Sequence, residues 1–274
     1  MQNFEAADVA RLDRAYSTPQ IVDQRRRFRA AVAARPGEVG LDVGCGAGHL
    51  ACELAREVTP RGRIVAIDKS GESVDASKAR VAKEGLADTV DVQVGDATAL
   101  EFPDETFDFV VAAQVYSFIT EVAQAIQEAA RVLRKSGRLL VLESDWDMCI
   151  WKSKDPIFTR HMISARAATQ FAHAYLPRDL HKLFRAAGLT LVDMRTFSII
   201  ETRYDPSSYG ASVIGITRDS ALKHGVPTDD VAAWEEDLRS RTAEGEWFFL
   251  LGSLCIYGNE VAAGYGRFRR KRGR

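Results

Sequence analysis

Residues Leu41 to Leu50, LDVGCGAGHL, constrain this chain more than any other stretch. A short apolar run holding one acid, Asp42, meets three glycines at alternate positions, Gly44, Gly46 and Gly48. A helical pattern, His49 to Val58, follows at once. Glycine lets a backbone turn tightly and approach a ligand because no Cβ stands in the way. The helix opened by such a turn directs unpaired N–H groups and a partial positive charge at that ligand. Strand, glycine turn and helix in this order predict a nucleotide-like molecule across the tip of a first β-strand.

The next hundred residues repeat that alternation. Strands are predicted at Gly40–Val43, Arg63–Ile67, Val90–Val94, Phe107–Ala113 and Arg138–Glu143, with helices between them. Phe107–Ala113 is largely apolar on both faces, as suits a central parallel strand. Five strands alternating with four helices define a doubly wound α/β sheet. Upstream, Met1 to Ala34 reads as two helices broken at Ser17-Thr18-Pro19. Downstream the pattern loosens. A helix is predicted from about Pro156 and another over Pro177–Ala187, with a sixth strand at Leu189–Ile200. Helices at Ser207–His224 and Thr228–Thr242 and a seventh strand at Glu246–Tyr257 complete the chain.

Composition narrows the partners. No apolar run approaches the roughly 18–20 residues of a membrane span, and Met1–Asp13 lacks the apolar stretch of a signal peptide. The four cysteines have no metal-binding spacing, so free thiols, no metal and a cytoplasmic location are expected. Six basic side chains sit at 267–274 without an acid, so the formal −1 of the whole leaves about −7 for the rest. A body that acidic argues against a polyanion as main partner; the basic end reads as a solvated tail.

Spacing selects among nucleotide ligands. The dinucleotide fingerprint G-x-G-x-x-G needs glycine at position 49, which is histidine here. The pattern is instead (D/E)-x-G-x-G-x-G, with Asp42 as the acid, which would repel a pyrophosphate and suits a cationic group. Asp68 stands 20 residues after Gly48, at the end of the second strand, where a carboxylate can accept both hydroxyls of a ribose. Gly95-Asp96-Ala97 follows the third strand and Ala113-Gln114-Val115-Tyr116 the fourth. Lys135-Ser136-Gly137-Arg138 precedes the fifth.

These stations, in this order over residues 38–143, resemble the class I S-adenosylmethionine (SAM)-dependent methyltransferases. The nearest likeness is to the ubiquinone/menaquinone-biosynthesis-like (methyltransferase type 11) small-molecule branch. The resemblance implies a Rossmann-like, doubly wound, seven-stranded, mostly parallel sheet with helical caps, and SAM as cofactor, released as S-adenosylhomocysteine (SAH). Residues 1–35 would form a helical lid. Residues 36–274 would form the methyltransferase domain, with cap insertions at about 145–176 and 201–244. Asp42, Gly44, Cys45, Gly46, Gly48 and His49 would surround the methionine end, with Tyr16 above it. Asp68 and Lys69 would lie at the ribose, Gly95, Asp96 and Ala97 at the adenine, and Ala113, Gln114 and Val115 along the methyl-donor pocket.

Methyl transfer from a sulfonium is an in-line displacement for which the cofactor carries the activation. The protein aligns the partners and excludes water. A base is needed only where the acceptor must lose a proton. His161, His173 and Asp145 are the first candidates, with His181, His49 and Asp147 behind them. Tyr116, Trp146, Trp151 and Tyr204 lie where an apolar acceptor would need walls, although such aromatics commonly just fill a core. The expected reaction is O- or C-methylation of a small, partly apolar metabolite in secondary metabolism. The enzyme would be a monomer or homodimer with no nucleic-acid or membrane partner. Other readings stay open: a SAM-bound cyclase or decarboxylase of the same fold, an RNA methyltransferase using the basic tail, or a binding module. An arsenite methyltransferase would need a thiolate set that these cysteines lack.

Overall fold

The computed structural model describes residues 6–260; the basic run at 267–274 lies outside them. Two helices, α1 (Ala6–Tyr16) and α2 (Pro19–Val32), precede the sheet and break at Ser17-Thr18 as the sequence predicts. Then come β1 (Val39–Val43), α3 (His49–Val58), β2 (Arg63–Asp68), α4 (Gly71–Lys83), β3 (Val90–Val94), β4 (Phe107–Ala113), α5 (Val122–Arg131) and β5 (Leu133–Trp151). The second half holds α6 (Pro156–Gln170), α7 (Leu180–Ala186), β6 (Leu189–Thr196), β7 (Ile199–Glu201), α8 (Tyr209–Lys223), α9 (Thr228–Ala243) and β8 (Phe249–Glu260). No helix among the described residues is long and apolar enough to cross a membrane.

Alternation of side chains along each strand decides the layering. Leu41, Val43, Ile67, Val110, Leu139 and Val141 fall on one face and are buried with α5 and α7. Ile64, Ala66, Phe109, Val111, Leu140 and Leu142 fall on the other, under α2, α3 and α4. A third cluster, centred on Trp146, Trp151, Trp234 and Trp247, lies among α6, α8 and α9.

The strand order is β3-β2-β1-β4-β5-β8-β6, with β7 also paired to β8. The pairs from β3 to β5 are parallel, and those involving β8 are antiparallel. Chain order reverses between β1 and β4, where an open α/β sheet leaves a crevice at the carboxyl ends of its strands. The glycine turn after β1 stands at that crevice.

Three expectations change. The sheet has eight strands, because the predicted sixth strand divides at Phe197-Ser198 into β6 and β7. Residues 145–151 belong to β5 rather than to a cap. The ladder shifts register between Ser144 and Cys149, and Cys149–Trp151 then pair with Phe249–Leu251. β6 and β7 pair one edge of β8, and the longer β5 pairs the backbone groups along its other edge. Finally, α5 ends at Arg131 and Leu133 already pairs with Phe107, so β5 begins before the expected Arg138.

Candidate active site

A cavity of about 230 Å³ opens at the reversal point. Its floor is the turn between β1 and α3. Gly44, Gly46 and Gly48 all take positive φ (70°, 51° and 80°), a region where a Cβ is strained. At Gly44 a Cβ would also come within 2.4 Å of Val115 Cγ2, and at Gly48 within 2.4 Å of Ser77 Oγ. At Gly46 it would meet nothing within 4 Å. Gly44 and Gly48 are thus small for the fold, whereas the space over Gly46 is left to a ligand. The Gly44 and Cys45 N–H groups donate to Ile67 O at 2.7 and 2.9 Å, which ties the turn to β2.

Three carboxylates follow from strand ends. Asp42, on β1, is 2% exposed, and its Oδ2 has no hydrogen-bond partner. Burial, with Asp68 second, pushes its carboxyl up to about 8. The Ala51 backbone N–H donates to this carboxyl, but a buried carboxyl oxygen left without a partner is costly unless something cationic or donating comes to it. Asp68, at the end of β2, accepts from the backbone N–H of Gly46 at 2.9 Å and of Ser70 at 2.9 Å. Burial raises its pKa against those hydrogen bonds. Asp96, after β3, accepts from Lys69 Nζ at 2.6 Å and from Thr98, which with Lys69 leading holds it down at about 2.

The loop after β4 is built on a hidden acid. Gln114 sits at φ 61°, donates its N–H to Leu142 O at 2.7 Å and accepts from Ser144 N–H. Glu143 is fully buried and accepts from Val115 N–H (2.8 Å), Tyr116 N–H (2.6 Å) and Ser117 Oγ (2.9 Å). Burial outweighs these donors and lifts its carboxyl to about 7. Glu143 shapes the wall without touching the cavity.

The N-terminal helices cover the opening. Asp13 of α1 meets His49 Nε2 at 2.7 Å and Arg80 Nη2 at 2.7 Å, while Arg11 pairs with Asp219 of α8 at 3.6 Å. Arg25 of α2 donates to Tyr16 O at 2.6 Å and pairs with Glu53 at 3.0 Å. Gln24 donates to Phe197 O and Ser253 Oγ, anchoring α2 on the sheet. His49 is spent on this contact; burial first, then Arg25 and Arg80, lower its pKa.

Of the residues expected around the cofactor, Tyr16, Asp42, Gly44, Cys45, Gly46, His49, Asp68, Lys69, Gly95, Asp96, Ala97, Ala113, Gln114 and Val115 line this cavity. Gly48 does not; it is buried as the N-cap of α3. The expected acceptor-side residues lie elsewhere. His161 is exposed on α6, with its ring 6.0 Å from that of Phe158. His173 holds the loop at Thr120 O, 3.0 Å from Nε2. Asp145, 3% exposed, is clamped by Arg178 at 2.7 and 3.0 Å. Tyr116 is wholly inside the first core cluster. Trp146 stacks on Phe171 with centroids 5.1 Å apart, and Trp151 packs on Trp234 and Phe249. Tyr204 meets Trp247 edge-on at 4.9 Å. Tyr116, Trp146 and Trp151 fill core, and the half-buried Tyr204 packs against it.

The cavity is also lined by Phe118, one of the aromatics expected near the acceptor, and by walls that carry little local signal, Leu12, Asp13, Gln24, Arg25 and Gln170 among them. Arg25 sits in the run Gln24-Arg25-Arg26-Arg27, which reads as a solvated face. Its one available signal is that Ile21, Arg25 and Phe28 share a helical stripe.

The methyltransferase-domain family description matches residues 41–141. Demethylmenaquinone methyltransferase of Symbiobacterium thermophilum is 29% identical over 211 residues, covering 70% of this chain and 82% of that one. For the other high-ranking curated relatives, several of them ubiquinone/menaquinone biosynthesis C-methyltransferases, the match spans 42–49% of their length. Among solved structures, YcgJ of Bacillus subtilis superposes with TM-score 0.61 at 22% identity, over 88% of this chain and 99% of that one. The [4+2]-cyclase SpnF superposes with TM-score 0.57 at 21% identity, over 90% and 84%. Fold, glycine turn and strand-end acids define a class I SAM-dependent methyltransferase domain. In sequence the domain is similar to the ubiquinone/menaquinone-biosynthesis methyltransferases.

Proposed function

We propose that the protein transfers a methyl group from SAM to an oxygen or carbon of a small, partly apolar metabolite. Asp42 carries this reading: a buried carboxylate with a free oxygen, held up at about 8, on the wall of a cavity floored by glycines. The ammonium of a methionine moiety is the kind of partner that such an oxygen lacks. Asp68 would accept from the ribose hydroxyls, with Gly46 left open beneath. Asp96, with the Ala97 N–H, would take the adenine edge. When bound, SAM supplies a methyl already activated on a sulfonium.

What the chain itself contributes is placement and exclusion of water. The Glu143-anchored loop fixes Gln114 and Val115, and α1 and α2 close over the cavity through Asp13, Arg25 and Tyr16. None of His161, His173 or Asp145 reaches the cavity, and His49, which lines it, is taken up by Asp13. This favours an acceptor that needs no contacting base. The relatives named for quinone biosynthesis support a small apolar acceptor; assignment to secondary metabolism rests on the sequence reading alone.

The test is to incubate the protein with SAM and a panel of quinols, phenols and enolisable ketones, and to follow SAH and mass-shifted products by mass spectrometry. Methylated product with equimolar SAH is expected. SAM turnover absent across the panel, with an acceptor transformed in its place, would favour the second reading. That reading, a SAM-bound cyclase, has the likeness to SpnF behind it.

A further inference from the structure

Behind the wall that carries Gln170 sits a guanidinium with no acid beside it. Arg166, on α6, is 4% exposed. Its Nε donates to Gln170 Oε1 at 2.8 Å, and Nη1 reaches Thr217 Oγ1 at 3.4 Å. The guanidinium lies 3.8 Å from the centre of the Trp146 ring and 6.0 Å from that of Phe171. The ionisable groups that act on it most are the Tyr209, Cys149 and Tyr16 side chains and the like-charged Arg11. Among the described residues no carboxylate pairs with it. Burial lowers its pKa to about 10, so it remains a cation at neutral pH. Two aromatic faces offset part of the cost of burying that charge. They carry no net charge of their own, so the cation stays uncompensated.

The Arg166 contact also orients Gln170. A guanidinium only donates, so the amide oxygen of Gln170 must face Arg166. The amide NH2 is then left to the cavity, which Gln170 lines together with Tyr16 and Phe118. A donor backed by a buried positive charge favours an anion over a neutral oxygen. Phe118, Ile119 and Leu12 make the neighbouring wall apolar.

We infer that Gln170, with Arg166 as a positioning residue behind it, forms a subsite for a negatively charged oxygen of the acceptor, carried on an apolar, aromatic body. The oxygen belongs to a carboxylate or to an ionised phenol or enol. This inference rests on the methyltransferase reading and names the acceptor's charge. It also accounts for a cavity that no histidine reaches from the acceptor side, since an acceptor that arrives ionised has no proton to give up.

The probes are 2-naphthoate and 2-naphthamide, alike in shape and different in charge, titrated by calorimetry into the full chain saturated with SAH. Naphthoate is expected to bind at least about tenfold tighter than the amide, the scale of one charge-assisted hydrogen bond. Arg166→Met should bring that ratio to within about twofold and leave SAH affinity unchanged, while Arg166→Lys should keep much of the preference. A merely structural Arg166 would weaken both probes alike and leave the ratio intact. Gln170→Leu, at the half-buried cavity wall, should weaken naphthoate about tenfold and decides the matter should Arg166→Met fail to fold. Equal binding of the two probes, no saturable binding of naphthoate, or a ratio that survives both substitutions overturns the subsite. Failure of SAH to saturate the protein overturns the methyltransferase reading first, before any naphthoate is added.

Discussion

The cofactor side and the acceptor side of this molecule are built in opposite ways. From β1 to the loop after β4, the candidate site sits where strands end, in short loops that expose backbone groups, glycines and acids. From Ser144 onward, the residues that look most chemical are folded into packing: Trp146 on Phe171, Trp151 on Trp234, Asp145 on Arg178. A parallel sheet puts every strand's carboxyl end at one edge, so acids from β1, β2 and β3 meet there by topology alone. The antiparallel β5–β8–β6 half has no such edge, and its polar groups serve to fix helices.

Substitutions should separate the two sides. The largest effect is expected for Gly44→Ala, which combines positive φ with a 2.4 Å approach to Val115. It should cost about 2–4 kcal/mol of stability in denaturant unfolding. On the other side, Gly188 also has positive φ (82°) but an added Cβ would meet nothing within 4 Å. Gly188→Ala should cost only about 1 kcal/mol. Equal losses would erase the contrast. Asp68→Ala should weaken SAM binding by about 1–3 kcal/mol, since the side chain holds the Gly46 N–H and, on the proposed reading, would accept from the ribose. Unchanged affinity would place the ribose elsewhere.

Proton linkage offers a subtler separation. Burial, then Asp68, holds Asp42 up at about 8 in the unliganded protein. The ammonium of SAM favours its ionised form, so binding should release a proton. Affinity should rise from about pH 6 by up to tenfold per unit and level off near 8, where the cofactor's own amine titrates. The stability of the unliganded protein runs the other way. The unfolded carboxyl ionises near its ordinary value of 3.8 and the folded one only near 8, so stability present at low pH is lost as pH rises through that window. Glu143 titrates at about 7 as well, and Asp42→Asn tells them apart. A flat affinity profile in the wild type would remove Asp42 from the site. The smallest effect is expected at His161, exposed on α6, where His161→Ala should leave turnover within about twofold in a steady-state assay.

Legibility in the sequence followed the same division. Strand ends with acids, and glycines needing positive φ, announce themselves locally, so Asp42, Asp68, Asp96 and the turn could be placed from spacing. The acceptor side depends on contacts between distant segments. Arg166 meets Gln170 one helical turn away but also Trp146 and Thr217, and nothing in the local pattern around Pro156–Gln170 marks that charge as unpaired. Aromatics and histidines there carry the same signal whether they line a cavity or fill a core. The extension of β5 to Trp151 was hidden for a related reason: its partner, Phe249–Leu251, lies a hundred residues away. The antiparallel ladder, rather than residues 145–151 themselves, makes that stretch a strand.

The most direct measurement is isothermal titration of SAM into the wild-type chain and into the Asp42→Asn, Asp68→Ala pair, at neutral pH in two buffers of different ionisation enthalpy. One saturable site per chain is predicted, with proton release in the wild type that disappears with Asp42 and with weaker binding when Asp68 is lost. No heat from SAM, or preferential binding of a nicotinamide dinucleotide, would contradict the account.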